Sequence, residues 1–381
     1  MEHTWYVAMV WVALALLASV ISMRTAISVA LVEIFVGVLG GNFLGLDPKT
    51  EWISFLAGFG AILLTFLAGA EIEPDVLRKY SRQAIAIGFI SFLMPFLGAM
   101  AYAYYIAGWT EDASKICGIA LSTTSVAVVY AVMVETGLNK TELGKIILAA
   151  CFVTDLGTVL ALGILFAHYN IWLVIFTVIT IVTLIATPRF IRWFFKAFNG
   201  HVSEPEIKLI FVMLFALGWL ATHANSEAVL PAYLLGIVVA GVFKEQREMV
   251  RHLRTATFAL LTPFYFLKAG TIVSIPAIWT GIGLIAVLLV VKMAAKFIGV
   301  YPITSMFRFS PRTGMYTTLL MSTGLTFGSI SALFGYSRGI ISQDQYTVLV
   351  TVVIGSAVIP TLIAQWFYSP RQDDLKGSWQ K

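Results

Sequence analysis

The chain has 381 residues, of which 59% are hydrophobic and 12% charged. Soluble domains carry about 25% charged residues, so this composition excludes an ordinary soluble protein and points to a chain that crosses a membrane many times. The formal net charge of +5 reads as membrane topology and needs no nucleic-acid partner. Cys117 and Cys151 both fall in apolar runs and suggest neither a disulfide framework nor a metal site.

Cutting the chain at its charged and Pro/Gly-rich breaks predicts an all-α polytopic protein of about thirteen transmembrane helices. Their limits fall at about 4–23, 28–45, 52–71, 83–107, 114–136, 143–167, 171–195, 207–223, 228–243, 251–270, 275–300, 314–334 and 343–367. The first has neither a basic leader nor a small-residue cleavage pattern, so it reads as a retained helix and not a signal peptide. Spans 2 and 3 bring two acids, Glu33 and Glu71, placed to line an aqueous funnel; Glu71, in Gly69-Ala-Glu-Ile-Glu-Pro-Asp75, fits an interface turn equally well.

Span 5 contains Leu121-Ser-Thr-Thr-Ser-Val126, four consecutive hydroxyls in an apolar run. Such a run either bonds back to its own carbonyls in a continuous helix or marks an unwound stretch at Ser122, Thr123, Thr124 and Ser125. Span 6 carries Asp155, with Thr154 and Thr158 as its polar companions. An ionisable group in hydrocarbon is expensive unless it faces a cavity or a partner, so Asp155 is a functional candidate. Its oxygens, with the hydroxyls of Thr154, Ser125, Thr124 and Thr123, make a hard-ligand set suited to an alkali cation. Removal from water favours the neutral acid, which lets one carboxyl exchange a proton for a metal ion. The metal in question is the transported cation, and no structural metal is expected.

In span 11, Lys292 and Lys296 stand four residues apart on one helix face. They either snorkel to the interface or compensate charge at the broken helices and Asp155. Span 12 has a second run suited to unwinding, Ser322-Thr-Gly-Leu-Thr326, with Thr323, Gly324 and Thr326 as its candidate positions.

Near an offset of 200 residues the chain resembles itself: Val36-Gly-Val-Leu-Gly-Gly41 with Leu235-Gly-Ile-Val-Val-Ala-Gly241, Phe66-Leu-Ala-Gly69 with Phe266-Leu-Lys-Ala-Gly270, and Ser122-Thr-Thr-Ser125 with Ser322-Thr-Gly-Leu-Thr326. The shift amounts to seven spans, an odd number, so the two copies cross the membrane in opposite senses. The expected organisation is a first repeat over 1–167, a linker helix over 171–195, a second repeat over 207–367 and a short cytoplasmic tail over 368–381. Nineteen basic residues fall on one side of this arrangement, against Lys49, Lys115 and Arg338 on the other. That places the N-terminus outside and the C-terminus in the cytoplasm of a cell-membrane protein.

Enzyme readings find no footing. His3, His168, His201, His223 and His252 lack metal-ligand spacing, no glycine loop is built to cradle phosphate, and no Ser-His-Asp arrangement is indicated. Neither a catalytic role nor a cofactor is expected, and His223 and Asn225 are assigned no chemistry. About 14 residues follow the last span, so no soluble regulatory domain is expected.

Val32-Glu-Ile-Phe-Val-Gly-Val-Leu-Gly-Gly41, Phe66-Leu-Ala-Gly-Ala-Glu71, Leu148-Ala-Ala-Cys-Phe-Val-Thr-Asp-Leu-Gly157, Thr262-Pro-Phe-Tyr-Phe-Leu-Lys-Ala-Gly270 and Lys296-Phe-Ile-Gly299, with the hydroxyl run, carry a resemblance. The chain resembles the monovalent cation:proton antiporter superfamily, in the branch of bacterial sodium/proton antiporters and glutathione-gated potassium efflux systems. The resemblance implies inverted repeats with two crossed, unwound helices, core and dimerisation domains, a homodimer, and an aspartate of span 6 that binds cation and proton. Asp155 matches that aspartate, and Lys296, ahead of Lys292, matches the family lysine. The pair Thr154-Asp155 departs from the Asp-Asp of electrogenic members and the Asn-Asp of another branch. One membrane carboxylate then implies electroneutral exchange of one cation, sodium first, for one proton. The alternatives are a potassium/proton antiporter of the efflux type without a regulatory domain, a cation channel, and an organic-anion transporter.

Overall fold

The computed structural model describes residues 2–25, 28–48, 50–70, 79–166, 171–198, 203–224, 228–243 and 247–370. Lys49, Glu71, His168, His201, Asn225 and residues 371–381 lie outside them. Every regular element among the described residues is helical. In chain order these are α1 (Glu2–Thr25), α2 (Val29–Phe43), α3 (Glu51–Ala70), α4 (Ser81–Tyr105), α5 (Glu111–Ser122), α6 (Val126–Glu135), α7 (Glu142–Leu165) and α8 (Ile171–Phe198). There follow α9 (Pro205–His223), α10 (Val229–Phe243), α11 (Arg247–Ala256), α12 (Thr262–Thr271), α13 (Ile275–Met306), α14 (Pro311–Met321), α15 (Thr326–Ser337) and α16 (Gln343–Phe367). A wider π turn, Thr257–Leu261, joins α11 to α12.

Among the described residues, nine stretches are long and apolar enough to cross a bilayer, with α14 and α15 counted as one, and two apolar helices are shorter. The chain is therefore an all-α, multi-pass membrane protein. Helix ends follow from local chemistry. Ser342 opens α16 with a reciprocal capping box to Gln345. Ser274 and Ser310 accept the N–H groups of Ala277 and Thr313 at the starts of α13 and α14, each followed by proline in the first turn.

The chain divides into two compact units. The first comprises Met1–Thr50, Val76–Thr158 and Phe266–Lys381. Its core gathers Ile87, Met133, Ile147, Cys151, Val300, Tyr316 and Leu320. In this unit α2 lies directly on the end of α12: a methyl group on Gly37 would strike the Leu267 carbonyl, and one on Gly270 would strike that of Ile34. The second unit comprises Glu51–Asp75 and Val159–Tyr265, with Leu63, Phe66, Phe195, Leu214, Leu235 and Leu261 in its core. There α3 and α10 meet in the same manner, Gly69 against the Tyr233 carbonyl and Gly236 against that of Phe66. Only residues without a side chain allow backbones this close.

Candidate ion-binding site

The first unit contains two helix breaks. α5 starts on Thr110, whose hydroxyl accepts the Ala113 N–H, with Glu111 and Asp112 suiting the positive end of the helix dipole. It stops at Ser122, where Thr123 turns extended at φ −63° and ψ 153°. The cause is local competition for acceptors. Ser122 Oγ donates to the Ile119 carbonyl at 2.8 Å and Thr123 Oγ1 to that of Ala120 at 3.0 Å, the carbonyls a continuing helix would have bonded. α6 restarts at Val126, with Ser125 Oγ accepting the Val128 N–H at 3.3 Å. Helices of 12 and 10 residues cover about 18 and 15 Å, so neither crosses a bilayer alone.

The second break follows the same pattern. α14 ends at Met321, Thr323 Oγ1 donates to the Leu320 carbonyl at 2.8 Å, and α15 begins at Thr326, which is half-buried. The two breaks touch. Thr124 Oγ1 donates to the Met321 carbonyl at 2.8 Å, and the Ser125 N–H donates to Thr323 Oγ1 at 3.3 Å.

Two fully buried lysines of α13 reach this meeting point. Lys296 Nζ donates to Ser91 Oγ on α4 at 2.8 Å, to the Ser122 carbonyl at 2.9 Å and to Thr124 Oγ1 at 3.1 Å. An ammonium has three hydrogens, and all three are used. Its charge sits on the C-terminal end of α5, where the helix dipole is negative. Lys292 Nζ donates to Ser356 Oγ on α16 at 2.8 Å and lies against Gly324 in the second break.

Asp155, in α7, is 2% exposed, and its Oδ1 makes no hydrogen bond. Lys296 is close enough to act on it electrostatically, yet its hydrogens go to the first break and to Ser91. Thr154 is tied elsewhere: its hydroxyl is shared between the carbonyls of Gly88 on α4 and Ala150 on its own helix, at 3.1 and 3.0 Å. That bond uses the hydrogen and leaves the hydroxyl lone pair capacity. Thr158, one turn on, donates to the Thr154 carbonyl.

The structure thus brings Ser122, Thr123, Thr124, Ser125, Thr323, Gly324 and both lysines to one crossing. Thr154 bridges α7 to α4. Glu33 is buried on α2 with Oε2 unbonded, and takes no part in the hydrogen bonds of the breaks. His223 bonds its own helix at the Trp219 carbonyl. Sequence reasoning missed Ser91, Ser356 and the Met321 carbonyl. The serines are single hydroxyls in apolar helices, a weak signal, and a backbone acceptor leaves no signal in residue type.

A multi-pass helical protein with a buried carboxylate, hydroxyls and compensated helix ends gathered within apolar helices has the build of an ion-coupled secondary transporter. The sequence matches the sodium/hydrogen exchanger transmembrane family over residues 12–369, and the chain belongs to that family, whose members are transporters and not enzymes. It is 25% identical over 352 residues to "Probable Na(+)/H(+) antiporter 3" of Methanocaldococcus jannaschii, covering 90% of this chain and 89% of that protein. It is 23% identical to the Na(+)/H(+)-K(+) antiporter GerN of Bacillus cereus, covering 95% of each. Among solved structures, that of the sodium proton antiporter MjNhaP1 from Methanocaldococcus jannaschii matches 96% of this chain and 97% of its own at a TM-score of 0.73 and 13% identity, a likeness of fold.

Proposed function

We propose that the protein exchanges a monovalent cation, sodium first, for a proton across the cell membrane, one for one and without net charge, with Asp155 as the position both ions occupy in turn. One observation carries this reading. Asp155 is a buried carboxyl in a membrane-length helix with an unbonded oxygen, while the lysine that acts on it has its hydrogens engaged elsewhere. A carboxylate left without a partner in hydrocarbon is costly; a proton, or an alkali cation with its neutral ligands, compensates that charge, and the two compete for it. In this reading Thr154, Thr123, Thr124 and Ser125 supply neutral oxygens, and Lys296 keeps the first break intact when the cation leaves.

The architecture that goes with it is thirteen spans, two inverted repeats with crossed breaks, core and dimerisation domains, a homodimer, an external N-terminus and a cytoplasmic C-terminus. The glycine contacts support the repeat. Gly37 on Leu267 and Gly69 on Tyr233 involve segments that exchange places under the offset of 200, as a pseudo-twofold relation requires. The distribution of basic residues supports the orientation. A potassium/proton exchange is the second reading, favoured by the potassium in the name of the Bacillus cereus relative, since ligand type alone does not separate the two ions.

The test is a pH-dye flux assay in proteoliposomes with sodium, lithium, potassium and calcium in turn, run beside a membrane-potential dye. Opposite cation and proton fluxes that saturate, with no potential developed, are expected for sodium. Reproducible charge movement would reject the one-for-one stoichiometry, conduction without proton coupling would favour a channel, and indifference to every cation would favour an organic-anion carrier.

A further inference from the structure

The two lysines of α13 differ in what they hold. Lys296 lies at the first break and bonds Thr124 Oγ1. Under the offset of 200 that relates the starts of α6 and α15, Val126 and Thr326, the counterpart of Thr124 is Gly324, which has no side chain. Its space is taken. A Cβ on Gly324 would overlap Lys292 Nζ, and would press on Thr123 Oγ1 at 2.9 Å and Ser356 Oγ at 3.2 Å. Gly324 is absent from the positions of positive φ, so a side chain there would have to displace the Lys292 ammonium and would meet no obstacle from backbone conformation.

The same comparison applies to the carboxylate. α7 starts at Glu142 and α16 at Gln343, so the counterpart of Asp155 is Gly355 or its neighbour Ser356. The second half therefore has no acid where the first has Asp155. It has a serine, and that serine is the hydrogen-bond partner of Lys292. Neutral oxygens and a lysine are gathered at the second break as at the proposed ion site, but among the described residues only the first lysine has an acid, Asp155, within electrostatic reach.

We propose that Lys292 is a tethered cation: its ammonium fills, in the second half of the chain, the position that the transported ion takes in the first, and so limits the protein to one exchangeable ion. The inference rests on the reading of the Asp155 region as the ion site and adds to it a residue that sets how many ions are carried. Like charges a few ångströms apart in a poorly screened interior exclude one another where no acid offsets them, as none among the described residues does in the second half. An alkali ion therefore cannot take the space beside Ser356 and Gly324 while Lys292 is present. The side chain also supplies a hydrogen bond that no metal ion could, from Nζ to Ser356 Oγ, which in turn donates to the Val353 carbonyl at 2.8 Å.

The experiment compares thermal unfolding of the full-length detergent-solubilised protein in sodium chloride and in choline chloride, for wild type, Asp155→Asn, Lys292→Ala and the double variant. Ligand binding to the folded state raises the midpoint. The difference between Asp155→Asn and the double variant decides the tether: the double variant should gain a sodium-specific rise of about 2 °C that Asp155→Asn alone lacks. Asp155→Asn by itself decides the ion site. If it still responds to sodium as wild type does, the ion-site reading falls, and the tether is still judged by whether adding Lys292→Ala enlarges that response. Should Lys292→Ala not yield folded protein, Lys292→Gln, which keeps length and loses charge, takes its place with the same expectation. Lys292→Arg, which keeps the charge, should gain no sodium response. A double variant as indifferent to sodium as Asp155→Asn would overturn the proposal, as would a gain in Lys292→Arg equal to that in Lys292→Ala, because a merely structural lysine does not confer ion-specific stabilisation when lost.

Discussion

The two helix breaks are alike in backbone and unlike in chemistry. Both interrupt an apolar helix pair, and both have a threonine hydroxyl returning to the carbonyl three residues back, Thr123 to Ala120 and Thr323 to Leu320. Around the first stand a threonine at position 124 and a lysine with all three hydrogens engaged, which acts electrostatically on a carboxyl with an unbonded oxygen. Around the second stand a glycine at 324, a serine at 356 and a lysine pressed into the gap. On the proposed reading, both breaks offer a backbone frame for an ion, and only the first is served by an exchangeable acid. In the proposed function, the unwound helices make a site possible, while the ionisable side chain decides whether it exchanges anything.

The contrast breaks most sharply at Asp155. Asp155→Asn keeps shape and hydrogen-bonding capacity but removes the exchangeable charge, so coupled flux should vanish in proteoliposomes while the circular dichroism spectrum and elution profile stay those of wild type. Retained coupled exchange would move the site elsewhere. Lys296→Met comes next, because it strips the buried Ser122 carbonyl, Ser91 Oγ and Thr124 Oγ1 of a charged donor. A loss of about 3 kcal/mol of stability is expected, read as a lower unfolding temperature together with loss of transport. A Lys296→Met protein as stable as wild type would mean that the first break needs no compensating charge.

Gly324→Ala probes the other break. Its methyl group collides with the Lys292 ammonium, at an expected cost of about 2 kcal/mol for overpacking. In a Lys292→Ala background most of that cost should disappear, since contacting residues are not additive. Equal costs in both backgrounds would show that the glycine serves something else. The smallest effect is expected of Thr154→Ala, which removes the hydroxyl shared with the Gly88 and Ala150 carbonyls. A loss of about 1 kcal/mol should accompany an altered apparent affinity for the cation with maximal rate nearly kept. A collapse of the rate instead would make Thr154 part of the coupling chemistry.

Much of this was legible in the residues, for physical reasons that also mark the limits. Asp155 stood out because an acid in hydrocarbon has few innocent explanations, and the hydroxyl run 122–125 because side-chain hydroxyls compete with helix hydrogen bonds. Which lysine serves which break was not legible. Lys292 and Lys296 share a helix face, and their division of labour is set by Ser91, Ser122 and Ser356, which come from three other helices. Thr154 is the clearest partial reading: residue type suggested an ion ligand, while the direction of its hydroxyl, toward Gly88 and Ala150, depends on where α4 packs. Glycine spacing in α2, α3, α10 and α12 suggested repetition, but only the packing reveals that Gly37 answers to Gly270 and Gly69 to Gly236. The short helices blur the count of spans, because 15 residues in α2 or α10 cover about 22 Å, less than a bilayer core.

The central claim is that one carboxyl holds either a proton or a cation, and proton release on cation binding tests it most directly. Sodium chloride is added to purified protein in weakly buffered solution, with choline chloride as the control, and the pH change is recorded across a range of starting pH. Wild type should release protons on sodium addition, up to one per chain where the carboxyl starts protonated, and Asp155→Asn should release none. Sodium binding without proton release at any starting pH, or an Asn variant that releases as many protons as wild type, would contradict the account.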